Sequence, residues 1–412
     1  MRYLVIILVL FCISSCTKDD NPQNGTEPSI ISYDFNTFSA FIDRLNEMTS
    51  IEDPLEREEE IVIFLDTMKT LGKLPFVKDD SVAFIYYGDA TSVKWPGDFN
   101  LWDHTTVGWQ GTNLNNSDLF LLEKTFPIDA RLDYKIVVGT NWILDPLNNH
   151  IQYSGFGPNS ELRMPQWIFP EETELWEGVE RGTISDNIRI TSQSLGYDLQ
   201  YRVYLPFNYN VLDNLPIIYV TDGHEYLADD FGAMRIVLDN LIYEGTIEPI
   251  IAVFIDPRDP DNLGSNLRGD QYTANPLFAS FVASELVPEI DQNYKTNPIA
   301  DKRAILGTSL GGWNSAYFGI EIPETFHLIG IHSPAFDYNL LNLYENSSDL
   351  PHKFYLSTGT IYDTEDNALA LKAIFDGKGY TYQYTAVNQG HSWGNWRGLI
   401  DEPLIMFFPA SN

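Results

Sequence analysis

The sequence predicts a mostly parallel α/β domain with helices on both faces of its sheet, preceded by an all-β sandwich and a short helical flange. Three observations carry this. From Gly182 onward, strand-like runs (RVYLP, LPIIYVTDG, PIIAVFID, RAILGTS, HKFYLSTG, YQYTAV) alternate with stretches of helical character at 233–244, 279–294, 312–320 and 365–377. Strands that take turns with helices need crossover connections, and the crossovers cover both faces of a parallel sheet. Residues 78–170 read differently: short β-branched and aromatic runs are broken by Gly, Asp, Asn and Pro, the rhythm of an antiparallel sandwich. Six of the nine tryptophans (95, 102, 109, 142, 167 and 176) also lie before residue 177, where the rhythm changes.

Taken from the start, Arg2 precedes an apolar run at 3–13 that is too short to span a bilayer. Ile13-Ser14-Ser15-Cys16 follows, which is the layout of a bacterial export signal and resembles a lipobox. Residues 1–15 are then a lipoprotein signal peptide and Cys16 the lipidated first residue of the mature chain. A signal peptide cut near Ser15 without lipidation leaves that cysteine unexplained. Cys12 leaves with the signal, so the mature chain has no thiol for a disulfide or for thiolate chemistry. The polar stretch through 16–32 reads as a tether. Lys18-Asp19-Asp20 resembles the surface-export signal of Bacteroidota lipoproteins, which implies an outer-membrane lipoprotein at the cell surface; the periplasmic face is the alternative.

Next comes the flange, 33–77. Phe38, Phe41, Ile42 and Leu45 recur at helical spacing, and LEREEEIVIFLDTMKT after Pro54 makes a second helix. Over 412 residues this gives two or three domains, without internal repeats. The net charge of −33, from 25 Lys and Arg against 58 Asp and Glu, repels phosphate backbones and excludes nucleic acid as a partner.

The chemistry-bearing stretch is RAILGTSLGGWNSAYFG, 303–319. Gly307 and Gly311 frame Ser309 as G-x-S-x-G, with an apolar strand before and a helix after, where a flanking Cβ would collide with backbone. The alternative to a nucleophile elbow is a simple strand-to-helix joint. A serine hydroxyl needs a base with a carboxylate behind it, and the order along such chains is serine, acid, histidine. Of the later histidines, His327 and His332 fall in a core-like strand and His352 precedes another. His391 follows the strand YQYTAV in VNQGHSWGNW, where a base would hang; a surface loop histidine is the alternative. For the acid, Asp363 is nearest the end of KFYLSTG, with Glu365 and Asp366 as competitors that suit a helix start. The amides of Leu310, Gly223 and His224 are the candidate oxyanion donors, and His224 either touches substrate or fills its loop.

Assembled, RVYLP, YVTDG, VLDNLIYEG, RAILGTSLGGW, PETF, STGTIYD and QGHSWGNWRGLI resemble the esterase D-like α/β-hydrolases, which include enterochelin esterases and family-one carbohydrate esterases. The resemblance runs from about Gly182 to the C-terminus, within a domain bounded at 171–412, and implies Ser309 as nucleophile, His391 as base and Asp363 as acid. Relatives often carry Glu three residues after an Arg, whereas Arg268 here is followed by Gln271. Trp313, Trp393, Trp396 and Arg268 are candidate substrate contacts, with a core role as the alternative for the tryptophans. Residues 78–170 resemble the glycogen-binding-type, immunoglobulin-like sandwich attached to such enzymes. That likeness maps Trp102, Lys135 and Trp142 onto a glucan contact, although enzyme-linked copies also use these aromatics for packing.

The expected activity is a serine esterase needing no metal or organic cofactor, since no HExxH or comparable ligand set occurs. The expected substrate is an acetyl or feruloyl ester on polysaccharide, with a small-molecule siderophore trilactone as the alternative. A glycan-binding surface lipoprotein with an inert hydrolase domain is the alternative of another class, and it predicts a broken triad.

Overall fold

In the computed structural model, residues 33–115 and 117–410 are described. The expected signal peptide, Cys16 and the tether lie outside the described residues.

The flange forms two helices, Phe38–Thr49 and Pro54–Thr70. Thr37 caps the first through its side chain. Asp53 accepts the amides of Leu55 and Glu56, and Pro54 sits at a position whose missing N–H costs nothing. Phe41, Leu45 and Met48 face Phe64, Leu65 and Met68 across the pair. Both helices then press on Phe76, Ala83, Ile85, Leu119 and Leu121. The Phe41 and Phe76 rings stack with centroids 4.0 Å apart.

That apolar set belongs to one face of a four-stranded antiparallel sheet, in which Ser81–Tyr87 pairs with Leu119–Thr125. Alternate residues Val82, Phe84, Phe120 and Leu122 point the other way, because side chains alternate along a strand. They meet Trp95, Leu132, Tyr134, Ile136 and Leu162 from two three-stranded sheets. The four-stranded sheet is therefore filled on both sides, by the flange and by the other sheets.

From Thr183 on, a nine-stranded sheet dominates. Its parallel part runs Ile251–Asp256, Ile217–Val220, Arg303–Thr308, Leu328–His332, Lys353–Gly359, Thr381–Val387, in that spatial order. Asp198–Leu205 adds an antiparallel neighbour beside Ile251–Asp256, so the sheet is mixed. Ile305, Tyr219, Ile329 and Phe354 fill one face, and Ala304, Leu306, Ile218 and Tyr355 the other. The inner strands are buried on both faces, which is why they read as unbroken apolar runs; the edge strand Thr381–Val387 is partly exposed and alternates instead.

Two local features differ from expectation. The segment 279–294 is not one helix. It runs as Pro276–Phe281, a π turn over Val282–Leu286, then Val287–Asn293. Pro288 has no N–H for the carbonyl one turn back, so the ladder shifts to a wider bond there. A helix at Asn339–Asn346, between two strands of the sheet, is not among the expected ones: it spans only eight residues, and Tyr338 before it offers no side-chain cap.

The flange is held to the sandwich by Phe41 more than by any exposed contact. Phe41→Ala is expected to cost about 3–5 kcal/mol. The measurement is calorimetry: the earliest unfolding transition moves down, while the transition of the large sheet stays in place.

Candidate active site

The strand Arg303–Thr308 ends at the sheet's carboxyl edge and turns directly into the helix Leu310–Glu321. Ser309 occupies the turn with φ 59° and ψ −118°, a conformation L-residues rarely adopt. Its backbone is pinned: the amide donates to His332 at 3.0 Å, and the carbonyl accepts from Trp313 at 3.0 Å and Ala335 at 3.1 Å. The flanking glycines explain how such a turn closes. A Cβ on Gly307 would overlap the Gly311 carbonyl, and one on Gly311 would stand 2.5 Å from Thr221 Oγ1. Only the serine side chain has room.

Two loops from neighbouring strands bring the partners. His391 follows Thr381–Val387, and its Nε2 lies 2.8 Å from Ser309 Oγ. Asp363 follows Lys353–Gly359, and its Oδ1 lies 2.5 Å from His391 Nδ1. The Asp363 side chain is fully buried, whereas that of His391 keeps 32% of its surface. Gly359 N and Ser333 Oγ each donate to Asp363 Oδ2 at 2.6 Å, and Thr364 N donates to Oδ1 at 2.7 Å. Burial by itself would raise this carboxyl's pKa, but the hydrogen bonds from His391, Ser333 and Gly359 and the nearby imidazole hold it below the usual value. Glu365 and Asp366 instead open the helix Glu365–Lys378.

The other histidines sit elsewhere. His332 is buried with Nδ1 on Ser357 Oγ at 2.7 Å, and burial drives its pKa down to about 3. His352 is buried against the Gly319 carbonyl at 2.7 Å, and His327 pairs with Asp301 at 2.6 Å.

Leu310 N–H and the amides of Gly223 and His224 each belong to the first turn of a helix, where amides have no acceptor within the helix. The loop before Gly223 lies against the elbow through Thr221 and Asp222, both close to Gly311. Charged groups crowd this mouth. Arg268 grips Asp222 through two nitrogens, at 3.0 and 2.9 Å. Arg258 grips Asp256 in the same way, at 2.9 and 2.7 Å, and His224 Nδ1 stands 3.4 Å from Asp256. Glu225 accepts the Trp393 indole N–H at 3.0 Å; burial, with Asp222 nearby, pushes its carboxyl up to about 7.

The candidate substrate tryptophans are mostly enclosed. Trp393 is 2% exposed and Trp396 7%, the latter edge-on to the His391 ring. Trp313 leans on the apolar cluster of one sheet face. In the sandwich, Trp142 is 45% exposed and stands edge-on to His104. Trp102 donates its indole N–H to Asp98 at 3.2 Å, and Lys135, partly buried, lies between two strands.

Ser333 and Asn395 escaped the sequence reading. Both hydrogen-bond Asp363, and Asn395 also donates to the Gly390 carbonyl at 3.0 Å. Ser333 was findable, because it directly follows the strand Leu328–His332 at the carboxyl edge of the sheet, where ligands gather. Asn395 sits four residues past His391 but gives no local signal.

Residues 192–339 match the family described as "Putative esterase". Ser309 lies inside that segment and Asp363 and His391 beyond it. The chain is similar to the "Uncharacterized protein YjcH" of Bacillus subtilis, at 27% identity over 239 residues, 55% of this chain and 97% of that one. It is also similar to the "Endo-1,4-beta-xylanase/feruloyl esterase" of Xylanibacter ruminicola, at 28% over 163 residues, 38% of this chain and 22% of that one. Among solved structures it shares the fold of the enterobactin esterase of Shigella flexneri, with a TM-score of 0.68 at 19% identity, over 80% of this chain and 94% of that one. The family match within the C-terminal domain supports an esterase hydrolase, and the likeness to the solved structure shows an α/β-hydrolase-like fold.

The hydrogen bonding separates the three acidic candidates. Asp363→Asn is expected to lower kcat on a chromogenic acetate ester by about 10³–10⁴-fold. Glu365→Gln and Asp366→Asn, measured alongside, should stay within about threefold of wild type, as surface changes away from the reacting atoms do.

Proposed function

We propose that this chain is a serine carboxylic-ester hydrolase acting through Ser309, His391 and Asp363 on acyl esters carried by polysaccharide, with acetyl and feruloyl groups as the substrate class. The observation that carries the reading is the continuous relay from Asp363 Oδ1 to His391 at 2.5 Å and from His391 to Ser309 Oγ at 2.8 Å.

In this mechanism His391 Nε2 takes the Ser309 proton as Oγ attacks the ester carbonyl carbon. The developing oxyanion is held by the Leu310 amide and by the amides of Gly223 and His224. The C–O bond to the alcohol breaks and His391 returns the proton to the leaving oxygen. Water, deprotonated by the same imidazole, then attacks the acyl carbon; the acyl–Oγ bond breaks, His391 returns the proton to Ser309 Oγ and the acid leaves. Asp363, held ionised, fixes the tautomer with Nδ1–H toward itself, so that Nε2 is free to accept.

Charge at the mouth supports a neutral ester. Each arginine there is matched by a carboxylate, Arg268 by Asp222 and Arg258 by Asp256, and Glu225 adds a further acid. A ferric catecholate carries several negative charges and needs cations left over. The Xylanibacter relative is a xylanase/feruloyl esterase by name, which favours the same side. The siderophore reading has its own support: the fold likeness to an enterobactin esterase extends over 80% of the chain. We further read residues 78–170 as a glycogen-binding-type, immunoglobulin-like module, with Trp102, Lys135 and Trp142 as its glycan contact. Lipid on Cys16 would hold the protein at the outer-membrane surface.

Ser309→Ala should lower kcat by about 10⁴–10⁶-fold, the range seen when a nucleophile acting within a triad is lost. The assay is a panel of acetylated xylan, methyl ferulate and a catecholate trilactone. Preference for the trilactone would reverse the substrate ranking, and no turnover of any ester by wild type would leave the glycan-binding reading. A separate polysaccharide pull-down with Trp142→Ala should recover at least about threefold less protein, as expected when about 1 kcal/mol of ring stacking is lost.

A further inference from the structure

The loop that carries His391 rests on a side chain from the other domain. Arg131 opens the strand Arg131–Tyr134 of the N-terminal module and is fully buried. Its Nη2 lies 2.5 Å from Asp133 Oδ1 and its Nε 2.6 Å from Glu161 Oε1. The remaining arm, Nη1, donates to Ser392 Oγ at 3.2 Å, one residue past His391. A Cβ on Gly394 would overlap the Arg131 guanidinium, so the loop backbone lies directly on that plane.

Other contacts flank this one. Arg131 N donates to the Asn388 carbonyl at 3.2 Å, and Asn388 Nδ2 donates to Asp129 Oδ1 at 2.8 Å. A Cβ on Gly390 would overlap the Asp98 carboxyl. Residues 388, 390, 392 and 394 thus all meet the module, two on each side of His391. Burial works against the charged guanidinium, but Asp133 and Glu161 more than offset it. A buried ion triad is weak evidence for stability as such, because desolvation consumes most of its Coulomb energy. What it does supply is a rigid, charged fork of fixed shape.

We propose that Arg131 is a positioning residue. Through Ser392 and the backbone at Gly394 it fixes the loop 388–394, and with it the His391 imidazole between Ser309 and Asp363. The module is then part of the catalytic unit, in addition to any glycan it holds. This rests on the serine-esterase reading.

The experiment uses the full chain and compares wild type with Arg131→Met, Arg131→Lys, Ser392→Ala and the Met/Ala double variant. Measured are kcat, KM and the pH profile, each per site labelled to completion by a fluorophosphonate, together with thermal unfolding. A misplacement near 1 Å costs about 10²-fold in rate, so Arg131→Met is expected to lose about 10–100-fold in kcat with KM within about twofold. Ser392→Ala keeps the guanidinium paired with Asp133 and Glu161 and removes only the acceptor of Nη1, so it is expected to unfold closer to wild type than Arg131→Met yet lose severalfold in kcat. The double variant should lose no more than Arg131→Met alone, because both act through one contact. Arg131→Lys keeps the charge between Asp133 and Glu161 but lacks the fork, so unfolding recovers while kcat does not. Unchanged kcat per labelled site in Ser392→Ala, or full recovery of kcat in Arg131→Lys, overturns the proposal and leaves Arg131 a structural ion pair. Wild type that neither turns over esters nor takes the label would instead sink the esterase reading itself.

Discussion

Asp363 is an anion taken wholly out of water, and the geometry of the site depends on keeping it there. An ionised carboxylate buried without partners costs several kcal/mol. Here its oxygens receive donors from the Gly359 and Thr364 amides, from Ser333 and Asn395, and from His391. Those donors come from three separate segments beyond the carboxyl edge of the sheet. Meeting their common acceptor sets where each loop must lie. Gly359 shows how tight the arrangement is, since a Cβ there would stand 2.9 Å from Asp363 Oδ2 and overlap the Gln389 carbonyl. Of the three relay side chains only that of Asp363 is wholly enclosed; Ser309 is partly exposed and His391 keeps 32% of its side-chain surface, as a nucleophile and a base that reach substrate would require.

The inner strands of the large sheet were legible because they are buried on both faces and read as unbroken apolar runs, whereas the outer strand Thr381–Val387 is partly exposed and alternates. Ser309 was legible because glycine at 307 and 311 is a local demand of the turn. The choice among Asp363, Glu365 and Asp366 was not. All three are carboxylates in one short stretch, and what separates them is the tertiary reach of the Gly359 amide and of His391. Pro288 stands inside a long apolar pattern that reads as one helix, and the wider turn Val282–Leu286 lies just before it. Arg131 could not be read at all. Its partners on the loop lie more than two hundred residues away, and nothing near it in sequence departs from an ordinary strand.

Net charge was a poor guide to the site. The protein carries −33, yet the mouth of the active site holds Arg258, Arg268 and His224 within reach of three carboxylates. Long-range field and local pairing are different quantities: screening removes the first over about 10 Å at ordinary salt, while partly buried pairs keep the second. A substrate entering this mouth meets locked ion pairs and one carboxyl poised near neutrality. It does not meet the average of the surface.

The sandwich faces two ways, and Asp98 joins the two. Its carboxylate accepts the Trp102 indole N–H at 3.2 Å and the Asp133 amide at 2.8 Å, while the carboxyl packs against Gly390 in the histidine loop. Burial, with Asp133 beside it, raises the Asp98 carboxyl to about 7. Trp102 is therefore tied to the residue beneath the histidine loop, and a substitution there would disturb the proposed glycan contact and the loop support together. Trp142 stands on the strand Asn141–Ile143, edge-on to His104, and shares no hydrogen bond with Asp98. Of the two rings, only Trp142 would separate the proposed glycan contact from the support the module gives the histidine loop.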